Sequence, residues 1–253
     1  MPDGIHPNAD GYRAWLAAVN PLIDKLMQTE PFKPVTIMPV GGSITAGRSS
    51  ATCYRRYLDG MLRRAGHRVD FVGSRSRHNN RVEPDSYQFD YDHEGHWQKN
   101  SGWIADHVEA LAATQVPDVA VLHMGTEDLR KVTGPIQSVI EKTVANIGRT
   151  IGALRAKNGS VKIVLAQIIP TRSPDIAHPD TAVQALNRAI AKLAAATSTK
   201  TSPVVLVDQY SGFDPDSGLG EDGVLPNAAG ARKMAERFFT GINLCLDIEE
   251  ISK

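Results

Sequence analysis

The stretch Met38-Pro39-Val40-Gly41-Gly42-Ser43-Ile44-Thr45 decides how the rest of the chain is read. Residues 35–40 form a short β-rich run that stops at two glycines. The serine therefore stands just past a strand end. There a glycine-rich turn can expose its hydroxyl and leave its backbone N–H to bind an anion. Gly-Gly-Ser by itself is more often a plain turn, so its meaning depends on the residues downstream.

Outward from Ser43, strand-like runs and amphipathic helices alternate. Tyr54, Tyr57, Leu58, Met61, Leu62 and Ala65 recur at helical spacing, and residues 69–72 are the next strand candidate. Residues 73–102 form a polar stretch rich in His, Asn, Asp and Tyr, long enough to suggest a binding loop. Residues 119–123 are a third strand, and Ile136, Val139, Ile140, Val144, Ile147, Ile151 and Leu154 mark a long helix. Residues 161–169 are mostly apolar, as expected at the buried centre of a parallel sheet. Ala182, Leu186, Ile190 and Leu193 mark the next helix, residues 204–207 a fifth strand, and Met234, Phe238 and Ile242 a last helix. This order predicts an α/β protein, a three-layer α/β/α sandwich on a five-stranded parallel sheet. Right-handed crossovers then gather the strand C-termini, and Ser43 with them, at one ligand-binding edge.

One segment precedes this pattern. Residues 7–27 read as a helix with Tyr12, Trp15, Leu16, Val19, Leu22, Ile23 and Leu26 on one side, interrupted and bent by Pro21. No low-complexity linker separates it from the first strand.

At 253 residues the chain can bury a sizeable core. Apolar residues are 42% and charged residues 22%, ordinary for a soluble globular protein. Lys+Arg and Asp+Glu balance at 28 each, so nothing argues for nucleic acid or an anionic membrane as partner. The apolar runs are strand-sized and too short to span a bilayer. Polar residues follow Met1 at once, so no signal peptide is read; the expectation is a cytoplasmic protein, or a secreted one with the signal removed. Cys53 and Cys245 are too few for a disulfide scaffold.

The motifs, taken in order, resemble the SGNH (GDSL) hydrolase superfamily and, within it, carbohydrate esterase family three, which includes acetylxylan esterases. Residues 38–45 resemble its nucleophile block, usually Gly-Asp-Ser-Ile-Thr. His93-Glu94-Gly95-His96 and Ser101-Gly102-Trp103 resemble the second block, split by an insertion. His123-Met124-Gly125-Thr126-Glu127-Asp128 resembles the third, usually Gly-Thr-Asn-Asp. Residues 165–170 and 207–209 resemble later strands, and Glu221-Asp222-Gly223-Val224-Leu225-Pro226-Asn227 the final block, usually Asp-Gly-Val-His-Pro-Asn. The resemblance covers residues 34–242 and implies a flavodoxin-like fold.

Three positions depart from the family pattern. Gly42 replaces an aspartate, mainly a structural loss. Glu127 replaces an asparagine whose amide helps to bind the oxyanion; an ionised carboxylate there repels the charge it should stabilise. Leu225 replaces the catalytic histidine and cannot accept a proton from Ser43.

The N-terminus holds a second copy of the final block, Asp3-Gly4-Ile5-His6-Pro7-Asn8-Ala9-Asp10-Gly11-Tyr12, with its histidine intact. His6 suits the role of base and Asp3 that of orienting its other ring nitrogen. Pro7 suits a first helical turn. A helix over residues 8–27 spans roughly 30 Å, at ~1.5 Å per residue, about the height of such a domain. The block could thus be a circular permutation, making residues 1–253 one domain in which 1–27 copy the final block and helix. Two other readings stay open: a tail left by an upstream module, or a block acting in the site of a second subunit.

The function these matches imply is hydrolysis of short acyl esters, acetyl groups on a carbohydrate or similar small esters. Ser43 is the nucleophile, His6 the base and Asp3 its orienter. The Ser43 and Gly102 N–H groups form the oxyanion hole, with Glu127 helping only when protonated; Asp222 and Leu225 belong to the degenerate block. No cofactor is implied, and His93-Glu94-Gly95-His96 lacks the spacing of a helical metal site. Trp97, Trp103 and Tyr91 could stack on sugar rings, or serve in packing. The expected partner is a glycan or small-molecule ester, with no nucleic acid or membrane and with a homodimer left open. The alternative is a catalytically silent carbohydrate-binding protein of the same fold.

Overall fold

The computed structural model describes residues 8–28, 33–77, 89–130, 132 and 134–250. The chain divides into two compact units, Met1–Pro34 and Val35–Lys253. The described part of the first unit is almost entirely one helix, α1 (Ala9–Gln28). Asn8 caps it, its side chain accepting the Gly11 N–H at 2.9 Å. The helix runs through Pro21 rather than stopping there. Tyr12, Trp15, Leu16, Leu22 and Ile23 are all exposed.

In the second unit the elements run in the order β1 (Val35–Gly41), α2 (Ser43–Ala46), α3 (Tyr54–Arg64), β2 (Val69–Phe71), β3 (Glu94–Gly95) and α4 (Ser101–Leu111). Next come β4 (Val119–His123), α5 (Thr126–Arg130), α6 (Ile136–Lys157), β5 (Lys162–Ala166) and α7 (Pro179–Thr197). The last are β6 (Val204–Val207), α8 (Pro215–Gly218) and α9 (Ala228–Glu250). The sheet order is β2-β1-β4-β5-β6, every pairing is parallel, and short β3 pairs with the end of β1 beyond β2. The expected five-stranded α/β sandwich is therefore present, with β3 as an added piece. The expected strand at 161–169 stops at Ala166. There the Asn187 side chain takes over both backbone groups of Ile168, at 2.8 and 2.9 Å, and draws the chain off the ladder.

Two hydrophobic clusters flank the sheet, and the strands serve both by simple alternation. Met38, Val40, Ala120, Leu122, Ile163 and Leu165 face one cluster, where α4, α6 and α7 contribute Val108, Ile147 and Leu186. Ile37, Phe71, Val119, Val121, Val164 and Val207 face the other, where α3 and α9 contribute Leu58, Leu62, Met234 and Phe238. With helices on both faces, every residue of β4 and β5 is buried, which explains the apolar runs at 119–122 and 163–166. No helix among the described residues is long and apolar enough to cross a membrane.

Candidate active site

The site forms at the C-terminal edge of the sheet. β1 ends at Gly41, where an added Cβ would lie 2.4 Å from the His123 carbonyl oxygen, so only glycine lets β1 and β4 close up there. Gly42 then turns the chain into α2, and Ser43 is its first residue, nearly buried. The Ser43 Oγ accepts the Gln98 backbone N–H at 2.8 Å and donates to Glu127 Oε1 at 3.2 Å. The same carboxylate oxygen accepts from Arg130 Nη1 at 3.2 Å, and Arg130 Nη2 also reaches Asp175 Oδ2 at 2.9 Å. Glu127 thus serves here as an acceptor of two hydrogen bonds, not as the donor an oxyanion needs.

The segment after β3 carries the split block, and the structure shows what the inserted residues do. His96 to Lys99 lie over the turn at Gly42 and Ser43: a Cβ at Gly42 would stand 3.0 Å from the Lys99 carbonyl oxygen. That crowding leaves no easy room for the aspartate usual at this position. Gln98 adopts a left-handed conformation, φ +58°, uncommon for a residue with a Cβ, and its N–H is thereby aimed at Ser43. Asn100 caps α4 through the Trp103 N–H at 3.1 Å. Gly102 sits in the first turn of that helix and lines a separate cavity of about 470 Å³ beside Asn146. Gly102 itself falls in α4, and the N–H that reaches Ser43 Oγ is that of Gln98. No sequence pattern marks a glutamine for a positive φ.

The final block also has a definite place. Leu225 is buried and lines a cavity of about 310 Å³ together with Ser43 and Asp222. Asp222 Oδ1 accepts the N–H groups of Val224 and Leu225 at 3.0 and 2.9 Å, and Oδ2 pairs with Arg48 at 3.0 Å. Downstream, Ala231, Met234, Ala235, Phe238, Ile242 and Cys245 of α9 are all fully buried. The C-terminal block therefore closes this unit, with leucine at the histidine position beside Ser43. Asp3 and His6 lie outside the described residues.

Ser43 also borders a second, much smaller cavity of about 20 Å³, lined by Gly42, Ile44, Ile104, Met124, Thr126 and Val224 among others. His123 lines it too; burial pushes its pKa down to about 4, so the ring is neutral near neutral pH. Burial raises the pKa of Asp128, which accepts the Ser101 N–H at 3.0 Å and the Ser101 hydroxyl at 2.6 Å, fixing the start of α4. His93 and His96 have structural roles: His93 accepts the Gly95 N–H at 2.8 Å, and His96 is bonded to buried Glu94. Among the described residues no group of His, Cys, Asp or Glu could hold a metal.

The position of Glu127 carries a prediction. Glu127→Asn should raise esterase turnover by about tenfold or more, because an amide can donate to the oxyanion where the carboxylate only accepts; one such donor is worth on the order of 10²–10³ in rate elsewhere. Steady-state kinetics of the variant decide it. An unchanged or lower rate would show that the Ser43 proton needs the carboxylate.

A parallel α/β sheet with a hydroxyl held at the end of its first strand, against an open cavity, is a serine hydrolase arrangement. Comparisons with known proteins agree. Residues 40–233 match the GDSL-like Lipase/Acylhydrolase family. The chain belongs to that family. It is similar to a crystallised acetyl esterase, a serine-to-alanine mutant with acetate ion, at 31% identity and TM-score 0.71, over 85% of this chain and 99% of that one. A carbohydrate esterase family 3 protein from Talaromyces cellulolyticus gives 31% identity and TM-score 0.71, over 84% and 99%. A family 3 carbohydrate esterase of Clostridium thermocellum gives 25% and 0.69, over 85% and 99%. A multidomain esterase of Ruminococcus flavefaciens is 28% identical over 220 residues, 80% of this chain; the match spans only 28% of that protein's length.

Proposed function

We propose that this protein hydrolyses acetyl esters of carbohydrates, with Ser43 as the nucleophile. The observation that carries this reading is the inequality of the two cavities that meet at Ser43, about 20 Å³ on one side and about 310 Å³ on the other. A space that admits roughly one water-sized group suits the methyl of an acetyl unit. The larger cavity is bordered by Arg48, Arg130, Asp175 and Asp222, polar groups suited to an alcohol rich in hydroxyls. Kinship with acetyl and carbohydrate esterases points the same way.

In this mechanism Ser43 Oγ attacks the acyl carbon while its proton passes to His6, which Asp3 orients. The backbone N–H of Ser43 stabilises the oxyanion, and the Gln98 N–H holds Oγ in place before it attacks. The C–O bond to the sugar breaks, and the alcohol leaves with the proton from His6. Water then attacks acetyl-Ser43, giving a proton to His6, and acetate departs as Ser43 recovers its hydrogen.

The duplicated block keeps the register of the helix that follows the C-terminal block. Aligned on its motif, Tyr12, Trp15, Leu16, Val19, Ile23 and Leu26 match the positions that α9 buries, Ala231 to Cys245. Gly11 matches Gly230, where a Cβ would stand 2.1 Å from the Gly218 carbonyl oxygen. Leu22 falls at Gly241, where a Cβ would stand 2.5 Å from Val207, so seating the copy in this slot requires that strand end to shift.

An acyl series tests the proposal. kcat/KM should fall at least about 100-fold from acetate to butyrate esters of one alcohol, since each methylene without a place costs up to 10–200-fold. Equal or faster turnover of the longer chain would overturn the acetyl assignment. No turnover of any ester would favour a silent binding protein.

A further inference from the structure

We infer that Trp97, held by the left-handed turn at Gln98, is the platform on which a neutral sugar ring stacks in the 310 Å³ cavity beside Ser43. The inference rests on the carbohydrate-ester reading and names which residues hold the sugar and what charge it carries.

Three observations converge. The first is position. Gln98 is tied by its N–H to Ser43 Oγ at 2.8 Å, so Trp97, its immediate neighbour, is fixed with respect to the nucleophile. Trp97 is half-buried, packs against the core cluster shared by α3 and α9, and lines the cavity. A strained backbone conformation kept beside a nucleophile needs a reason. Placing both an N–H at Ser43 and an indole at the cavity wall supplies one.

The second observation removes the competing aromatics. Trp103 is stacked on His107 with ring centroids 4.0 Å apart, meets His96 at 4.5 Å, and has Lys99 Nζ 5.1 Å from its ring. Tyr91 is occupied by Phe89 at 4.1 Å. Of the three aromatic residues that the sequence offers for stacking on sugar, Trp97 is the one that lines a cavity containing Ser43.

The third is charge. The cavity carries two guanidiniums, Arg48 and Arg130, against three carboxylates, Glu127, Asp175 and Asp222. Every one of these groups is paired, Arg48 with Asp222 at 3.0 Å and Arg130 with Glu127 and Asp175 at 3.2 and 2.9 Å. Paired Arg and Asp groups can still exchange hydrogen bonds with hydroxyls, but they leave no cationic excess to draw a uronate or a phosphate. An apolar chain would gain little among them. The chemistry fits an uncharged pyranose, its face on the indole and its hydroxyls on the two ion pairs.

The test measures binding apart from turnover. Ser43→Ala protein is titrated calorimetrically with methyl 3-O-acetyl-β-glucopyranoside and with the corresponding uronate. The neutral sugar should bind more tightly than the uronate. Adding Trp97→Ala should weaken the neutral sugar about three- to tenfold, and Trp97→Tyr should recover part of that loss. With Ser43 intact, Trp97→Ala should lower the ratio of kcat/KM for the sugar acetate over that for ethyl acetate by a similar factor. Tighter binding of the uronate, or affinity and ratio both indifferent to Trp97→Ala, would overturn the inference. Trp97→Tyr guards against misfolding, because an equal loss in both variants with native circular dichroism also counts against stacking. If the intact protein hydrolyses no ester while the neutral sugar still binds through Trp97, the esterase proposal fails and this one stands.

Discussion

Ser43→Ala should abolish acetyl-ester hydrolysis, a loss of at least about 10⁴-fold, while the fold persists. The size reflects the role of serine: without Oγ there is no acyl-enzyme, and removing a nucleophile in related chemistry costs on the order of 10⁶ in kcat. The fold should survive because Oγ makes only two hydrogen bonds among the described residues, to the Gln98 N–H and to Glu127. Neither is a backbone bond of the sheet ladder. Turnover of purified variant and wild-type protein, with circular dichroism of both, is the check. A variant with wild-type turnover would remove the basis of the whole catalytic assignment.

His6→Ala should have the next largest effect. Leu225 occupies the base position of the C-terminal block and cannot take a proton, so the proposed mechanism leaves His6 as the base for Ser43. Loss of a general base costs typically 10²–10⁴ in rate, and the variant should lie in that range or below it. Position 225 lines the cavity at Ser43, with the Asp222 carboxylate two hydrogen bonds deep in the same turn. Leu225→His introduced into the His6→Ala chain should therefore recover activity, with Asp222 as the orienting partner. If His6→Ala is silent and Leu225→His alone creates activity, the N-terminal block is not catalytic. A homodimer exchanging blocks would show itself by complementation: mixed Ser43→Ala and His6→Ala chains would regain activity.

Much of this is legible in the sequence because it is local. The strand ending in Gly41 and Gly42, the alternation that sends Met38 and Ile37 to opposite clusters, and the stripe of Met234, Phe238 and Ile242 are all short-range patterns. Two of the three departures, Glu127 and Leu225, stand out as wrong residue types in familiar blocks, and both side chains come to Ser43. The features that stay hidden depend on long-range competition or on backbone conformation. Gly102 lines a cavity apart from Ser43, while Gln98, the wrong type for a positive φ, directs its N–H to Ser43 Oγ. Trp103 looks as available in the sequence as Trp97, yet His107, His96 and Lys99 surround it. The two copies of the final block read almost alike. Packing favours α9 in the slot, because Gly241 lies flat against Val207 where α1 carries Leu22.

The most direct test of the central claim is covalent labelling of the intact chain with a fluorophosphonate and peptide mass analysis of the product. Such a reagent reacts with a serine only when the hydroxyl can lose its proton to a base during attack. The account predicts one adduct per chain, on Ser43, formed in step with loss of acetylesterase activity and slowed strongly by His6→Ala. Full inactivation with the adduct on another residue, or esterase activity that persists with Ser43 fully labelled, would contradict it.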